Sequence, residues 1–222
     1  MDAIFQIGSW SDEPFKYVGG DPSLDLINTV DWTERGLEND RLTDYERLVC
    51  WAEGAGVVPL DHASALTAVG AENAEGTAAT LDAARSLRFA LQRVFDAVAR
   101  TGELSEDAML AELNRHVVDA LARLRIAPDS SGGAAARWAW RGEGEVLGSV
   151  LWPVARSAAV LLTSEEAHSV RICGGDACGW MFVDRSRNRL RRWCEMETCG
   201  TRAKGRRRTE RRRAASTRRA IG

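Results

Sequence analysis

No stretch of the sequence approaches the roughly 18 consecutive apolar residues that a membrane-spanning helix needs. Residues 1–15 also do not show the basic and then apolar order of a secretory signal. We therefore expect a cytoplasmic protein with no membrane partner. Apolar residues still make up 45% of the 222 positions, which is enough for a substantial core.

Motifs of enzyme active sites are missing as well. The sequence contains no Ser/His/Asp set, no glycine-rich phosphate loop and no His-x-Glu metal motif. Its three histidines, His62, His116 and His168, are widely separated, and we expect them at the surface or at junctions between elements. The sequence therefore predicts that the protein is not an enzyme.

The charged residues divide the chain into two parts of opposite sign. From Arg171 onward, 16 lysines and arginines stand against 5 acidic residues, whereas the preceding 170 residues carry 14 basic and 27 acidic residues. The net charges are therefore +11 and −13. A basic end on an acidic chain is typical of a protein that binds a polyanion through that end. A solvated tail that only aids solubility would show the same charges.

The first 165 residues show the periodicity of helices. Apolar spacing predicts one helix over 24–32, and Thr43 opens a capping-box pattern ahead of a second. The clearest amphipathic pattern spans 77–101, and two further helices are predicted over 105–118 and 151–162. This part of the chain is predicted to be a helical domain.

Little strand is expected between these helices. Residues 126–133 read as an exposed loop, and residues 136–144 as a short β-hairpin whose Trp138 and Trp140 cover the helices. The predicted fold class is therefore mainly α, or α+β with a short hairpin.

Four of the five cysteines form two close pairs, Cys173 with Cys178 and Cys194 with Cys199. This spacing can place four thiolates at the corners of a tetrahedron around one Zn²⁺. Two disulfides or four buried thiols are alternatives, but a cytoplasmic setting and an odd cysteine count disfavour disulfides. Because four thiolates close the coordination shell, we predict one structural zinc. Cys50 stands apart on a predicted helix, where we expect a buried core thiol.

Arginine dominates the basic residues around and after these cysteines. Its planar guanidinium can bind a phosphate or a guanine edge through two hydrogen bonds. A helix over residues 198–215 would carry much of this charge onto DNA or RNA. The predicted nucleic-acid-binding residues are Arg185, Arg187, Arg189, Arg192, Arg202, Lys204, Arg206, Arg207, Arg208, Arg211 and Arg212.

Two other roles for the basic residues are open. Four thiolates around one Zn²⁺ leave a charge of about −2, which Arg171, Arg191 or Arg192 could offset. The basic tail could also dock on an acidic protein surface, including the chain's own acidic part.

The segment from Cys173 to Lys204 closely resembles the CGNR zinc finger. It opens with Cys-Gly-Gly-Asp-Ala-Cys-Gly-Trp-Met-Phe, and the family's Gly-Asn-Arg after the second cysteine pair reads Gly200-Thr201-Arg202 here. Threonine can still cap a helix start, whereas any contact made by the family's asparagine is lost.

The preceding residues resemble the ABATE domain, through Gly20-Asp21-Pro22-Ser23-Leu24-Asp25-Leu26-Ile27-Asn28-Thr29 and through the segment from Trp152 to Ala159. The resemblance implies a helical body over 1–165, the finger over 166–208 and a basic tail over 209–222. It also implies a bacterial, stress-linked transcription regulator in which the finger binds DNA and the body senses a ligand.

Two polar residues of the body are candidates for binding that ligand. Asp25 and Asn28 are three residues apart, hence on one helix face, and Arg88 or Arg35 could complete a polar pocket with them. A buried hydrogen-bond network that fixes helix packing is the alternative.

Two functions from different classes follow. The first is a nucleoid-associated, zinc-dependent DNA-binding regulator whose body binds a small-molecule effector or a second copy of the chain in a homodimer. The second is an RNA-binding or protein-interaction adaptor whose basic tail binds an acidic partner. A regulator should prefer one duplex site over random DNA by on the order of a thousandfold, and an adaptor should not.

Overall fold

The computed structural model describes residues 14–33, 36–129, 135–176 and 178–221. Seven α-helices account for most of the described residues: α1 Pro22–Ile27, α2 Tyr45–Gly54, α3 Leu60–Ala71, α4 Ala74–Thr101, α5 Ala108–Arg123, α6 Trp152–Leu162 and α7 Thr201–Ile221. Three antiparallel pairs of short strands join them: β1 Asp31–Thr33 with β2 Gly36–Glu38, β3 Leu124–Pro128 with β4 Ala136–Trp140, and β5 Val170–Ile172 with β6 Met181–Val183. The mainly α fold class is confirmed.

Helix α4 is the central element of the core, and α1, α2 and α5 pack around it. It begins where the Asn73 side chain accepts the amide of Gly76 at 2.8 Å, and it ends at Gly102, whose positive φ of 73° suits glycine. Its buried face carries the predicted periodic residues Leu81, Ala84, Leu87, Leu91, Val94 and Phe95. The prediction of this helix is confirmed, with a start three residues earlier.

Helix α1 is shorter than the predicted helix over 24–32. Asp21 caps its start by accepting the amide of Ser23 at 2.9 Å, and it ends at Ile27. The helix stops there because the Asn28 side chain bonds to a distant strand and the Thr29 hydroxyl donates to the Leu26 carbonyl at 2.7 Å. Periodicity could not reveal these competing partners.

Two predictions for α2 are wrong. The cap is Asp44 rather than Thr43, because the Asp44 carboxylate accepts the amide of Arg47 at 2.8 Å. Cys50, predicted as a buried thiol, is exposed, since α2 turns its other face, including Leu48 and Trp51, into the core.

The predicted hairpin pairs differently from the expectation. β4 pairs with β3 in the register Ile126 to Trp138, so part of the predicted loop over 126–133 is strand. Trp140 packs on Trp152 with ring centroids 6.1 Å apart, whereas Trp138 remains 58% exposed. Only one of the two tryptophans therefore covers the helices.

The last strand pair belongs to the same core as the helices. Val170 and Met181 are completely buried and Val183 nearly so, in one cluster with the apolar residues of α1 and α4. The body and the start of the finger therefore share a hydrophobic core. No helix among the described segments is long and apolar enough to cross a membrane.

Candidate metal centre and basic surface

The four paired cysteines converge on one point beside the β5–β6 hairpin. Their sulfur atoms all lie within 4.8 Å of one another, with 3.9 Å between those of Cys178 and Cys194 and 3.7 Å between those of Cys194 and Cys199. A tetrahedral zinc with bonds of about 2.3 Å requires sulfur separations of about 3.8 Å. The geometry therefore fits one four-coordinate Zn²⁺, as the spacing predicts.

The surroundings of the sulfurs favour a thiolate at Cys173. The Cys173 sulfur accepts amides of Cys194 at 3.2 Å and Gly175 at 3.4 Å. Hydrogen bonds from the Cys178 and Cys194 thiols, and then from these amides, lower the pKa of Cys173 to about 2. Hydrogen bonding to Cys173 in turn raises the pKa of Cys178 to about 12. Four thiolates can therefore coexist here only around a cation, which a bound zinc supplies.

Glycines allow the chain to close around the sulfurs. A Cβ atom at Gly175 would lie 3.0 Å from the Cys199 sulfur, and one at Gly174 would lie 3.2 Å from the carbonyl of Arg192. A Cβ atom at Gly200 would clash with the sulfur of Met196. The cluster thus depends on close approach at Gly174 and Gly175, whereas at Gly200 the flexible Met196 side chain can move aside.

The hairpin that carries the first cysteine pair is bonded directly to the body. The Asn28 side chain donates to the Met181 carbonyl at 2.9 Å and accepts the Met181 amide at 2.8 Å. The Val183 amide donates to the Gly19 carbonyl at 2.8 Å, and the Trp180 indole donates to the Val30 carbonyl at 3.0 Å. These bonds fix the orientation of the metal centre relative to α1.

Replacing Asn28 with alanine is expected to lower the free energy of unfolding by about 2–5 kcal/mol, because both backbone groups of Met181 would be buried without partners. Urea unfolding of the zinc-loaded protein, followed by circular dichroism, measures this. The matched control is Asn114→Ala on the exposed face of α5. Equal stability of the two variants would show that Asn28 does not hold the hairpin.

The predicted ligand-binding residues of the body each bond to a different partner. Asp25 accepts the Gly19 amide at 2.8 Å, and burial raises its pKa to about 6. Asn28 is occupied by Met181, and Arg88 donates to Asp40 at 2.5 and 2.7 Å. These bonds do not join the three residues to one another, and Arg35, the alternative to Arg88, lies outside the described residues. Their role in ligand binding stays a prediction.

Two of the predicted nucleic-acid-binding arginines, and Arg191, which is predicted to offset the charge of the zinc site, make contacts within the protein. Arg185 donates to both carboxylate oxygens of Glu166, at 2.7 and 2.8 Å, and to the Gly20 carbonyl. Arg206 forms an ion pair with Asp176. Arg191 bonds the carbonyls of Val18, Trp193 and Cys194 and lies over the Phe182 ring.

A loop between the cysteine pairs, residues 184–191, presents further arginines. Its anchor is Asp184, which is completely buried and accepts the amides of Ser186 at 2.9 Å and Arg191 at 3.0 Å. The tip consists of four exposed residues: Arg187, Asn188, Arg189 and Leu190. The charge pattern indicates the arginines, but it does not identify Asp184 as the residue that orders the loop.

Helix α7 starts immediately after the last cysteine. A π-helical turn over Met196–Gly200 contains Cys199 and leads into the helix, and the Thr201 hydroxyl donates to the Met196 carbonyl at 3.1 Å. Over residues 201–212, every side chain except that of Ala203 is exposed. One surface carries Lys204, Arg207, Arg208, Arg211 and Arg212 together. Arg192 and Arg202, on either side of the second cysteine pair, are also exposed.

Two family models match the chain in succession. The ABATE model, described as "Putative stress-induced transcription regulator", matches residues 20–165. The CGNR zinc finger model matches residues 169–212 and so includes all four clustered cysteines. A search of curated proteins found no match.

Proposed function

Because the chain belongs to the ABATE family of transcription regulators and ends in a CGNR zinc finger, we propose that it is a zinc-dependent DNA-binding regulator. Its helical body senses a ligand or mediates association with a second copy, and the protein acts at the nucleoid in the cytoplasm without enzymatic activity. The observation that carries the proposal is the exposed arginine surface of α7, which begins two residues after the zinc ligand Cys199.

Zinc sets the position of the basic helix. The π-helical turn places Cys199 at the cluster and is followed directly by α7, so the metal fixes where the helix starts. At about 1.5 Å per residue, the 21 residues of α7 span about 30 Å, close to one turn of B-DNA. Lys204 and the arginines at 207, 208, 211 and 212 bind phosphates along the first part of the helix, where they span about 12 Å.

The loop over residues 184–191 supplies base contacts. Its buried anchor, Asp184, orders the backbone before DNA arrives, which reduces the entropy lost on binding. Arg187 and Arg189 offer the bidentate groups that pair with guanine, and Asn188 offers the amide that pairs with adenine. Arg185 and Arg191 flank this tip and hold it to the body.

Changing Arg187 and Arg189 to lysine is expected to separate sequence preference from general affinity. Lysine keeps the charge but loses the bidentate geometry, so the preference for a selected duplex over random DNA should fall about 10- to 100-fold. Affinity for random DNA should stay within about threefold. Titration of both duplexes by fluorescence anisotropy measures the two quantities.

The control is Arg207→Lys together with Arg208→Lys, on α7. If that helix binds phosphates only, the control retains both the preference and the general affinity. Equal loss of preference in the two pairs of variants would contradict base contacts by the loop. Tight binding to RNA but no preferred duplex in the unchanged protein would instead favour the adaptor function.

A further inference from the structure

A cavity of about 220 Å³ lies between three helices of the body, well away in sequence from the metal centre. Its walls come from α4, α5, α6 and the 3₁₀ turn over Leu147–Leu151. The residues that line it are Ala79, Thr80, Ala83, His116, Asp119, Gly148, Leu151, Trp152 and Ala155. Thr80, Leu151, Trp152 and Ala155 are buried, whereas Ala79 and Asp119 are exposed at the rim. The space exists because glycine and alanine occupy four wall positions.

His116 is the most unusual group in the wall. Its side chain is only 16% exposed, contrary to the expectation of a surface histidine. The Nε2 atom is buried without a hydrogen bond among the described residues, although Glu112 Oε1 lies 3.3 Å away in poor geometry. Burial, and then the nearby Arg115, lower its pKa, which leaves a neutral imidazole at neutral pH.

Asp119 provides a fixed acceptor at the rim. The Trp152 indole donates to its Oδ2 at 3.0 Å, which holds the carboxylate beside the cavity. No hydrogen bond to Oδ1 is present within the described part of the chain. A ligand donor can therefore bond to Asp119 without displacing Trp152.

We propose that this cavity is the effector site, and that it binds a small, flat, uncharged molecule with an apolar ring and one N–H or O–H donor, such as a phenol or an aromatic amine. The alanine, leucine and tryptophan walls accept the ring, and Asp119 accepts the donor hydrogen. A cavity of about 150 Å³ holds benzene, so this volume suits about seven to ten non-hydrogen atoms. The assignment of an effector rests on the proposed regulator function, whereas binding itself does not.

The cavity is connected to the finger through the body. Helix α6, which carries Trp152 and Ala155, is bonded to α1 because the Ser157 hydroxyl donates to Asp21 Oδ2 at 2.8 Å. Asp21 caps the start of helix α1, and Asn28 at its other end bonds both backbone groups of Met181 in the finger. A shift of α6 on ligand binding would therefore reach the strand beside the metal centre.

Binding is tested with 4-fluorophenol, observed by ¹⁹F NMR against the full-length, zinc-loaded protein. We expect a Kd on the order of 0.1–1 mM, as suits a ligand of eight non-hydrogen atoms. Fluorobenzene, which has no donor, should bind at least about fivefold more weakly. No binding of 4-fluorophenol at concentrations of about 5 mM would overturn the proposal.

Two variants test whether 4-fluorophenol binds in this cavity. A Cβ atom at Gly148 would meet no atom within 4 Å, so Gly148→Val fills open space and should weaken binding at least about tenfold. Its matched control is Gly205→Val, at an equally unobstructed position on α7, which should bind normally. Asp119→Asn can still accept from Trp152 but replaces the carboxylate with a neutral amide, so the advantage of 4-fluorophenol over fluorobenzene should shrink because the charge-assisted hydrogen bond is lost.

Unchanged probe binding in both Gly148→Val and Asp119→Asn would place the ligand elsewhere and overturn the site. The regulator function is assessed separately, by DNA titration with and without 4-fluorophenol. If the cavity binds the probe but DNA affinity is the same in both titrations, the ligand site stands and its role as an effector site falls. If the protein binds no DNA at all, the regulator function fails without affecting the binding result.

Discussion

Replacing Cys178 with serine is expected to reduce the affinity for a selected duplex by at least about a hundredfold. The remaining three thiols cannot complete a tetrahedral zinc site, and in small zinc modules the metal-binding energy is folding energy. Without zinc, the turn that contains Cys199 no longer fixes the start of α7. The measurement combines zinc content per chain with titration of the duplex.

Cys50→Ser is the matched control, because Cys50 is an exposed cysteine outside the cluster. It should retain one zinc per chain and unchanged DNA affinity. The Cys178→Ser variant should also show a lower melting temperature, since Met181 and Val183 of the same hairpin lie in the core of the body. A zinc-free variant that still binds its duplex with full affinity would contradict a zinc-dependent mechanism.

Changing Arg207, Arg208, Arg211 and Arg212 together to alanine is expected to give the second large loss. If each arginine contacts one phosphate, the slope of log K against log salt falls by about 3.6. Affinity at 50 mM salt should drop by more than about a thousandfold, for selected and random duplexes alike. Alanine retains helix propensity, so α7 itself should survive.

Two controls separate contact from net charge. Lysine at the same four positions keeps the charge and should retain most of the salt slope. The second control replaces four exposed arginines of the body with alanine, namely Arg93, Arg100, Arg115 and Arg137. It removes the same charge from another surface and should change the slope of log K against log salt little. Equal losses from the two sets of alanines would mean that overall charge, rather than the surface of α7, attracts DNA.

The metal centre could be predicted from the sequence because its information is local. All four ligands lie within the 27 residues from Cys173 to Cys199, and only one chemistry readily explains two regular thiol pairs at this spacing. The same holds for α4, because its apolar residues recur at helical spacing along a helix of 28 residues, and this long pattern outweighs the preferences of single residues. Signals of this kind survive without knowledge of the tertiary structure.

Features that depend on distant partners could not be predicted. The end of α1 is set by Asn28, whose partner Met181 lies 153 residues further along the chain. The sequence predicts a core position for Cys50 because small apolar residues are usually buried, yet the face of α2 that packs inward excludes it. Pairing of β4 with β3 was hidden by Pro128, which reads as a breaker but occupies the last position of the strand.

The different contacts of the arginines also depend on distant partners and could not be predicted from the sequence. Sequence alone gives Arg185 and Arg187 equal weight, but Glu166 binds the first, and the second lies exposed at the loop tip. This difference between the two arginines follows from Asp184, which accepts the amides of Ser186 and Arg191 and so orders the loop between them. An aspartate two residues before a serine is a recognisable turn pattern, although it does not indicate which way the turn faces.

The central claim, zinc-dependent recognition of a DNA sequence, is tested most directly by selection from a random duplex pool with protein of measured zinc content. At 50 and 200 mM salt, we expect one zinc per chain and the same enriched motif, bound about a thousandfold more tightly than random DNA. Removal of zinc should abolish the enrichment. Binding that remains blind to sequence in zinc-loaded protein, and that disappears as salt rises, would contradict the claim.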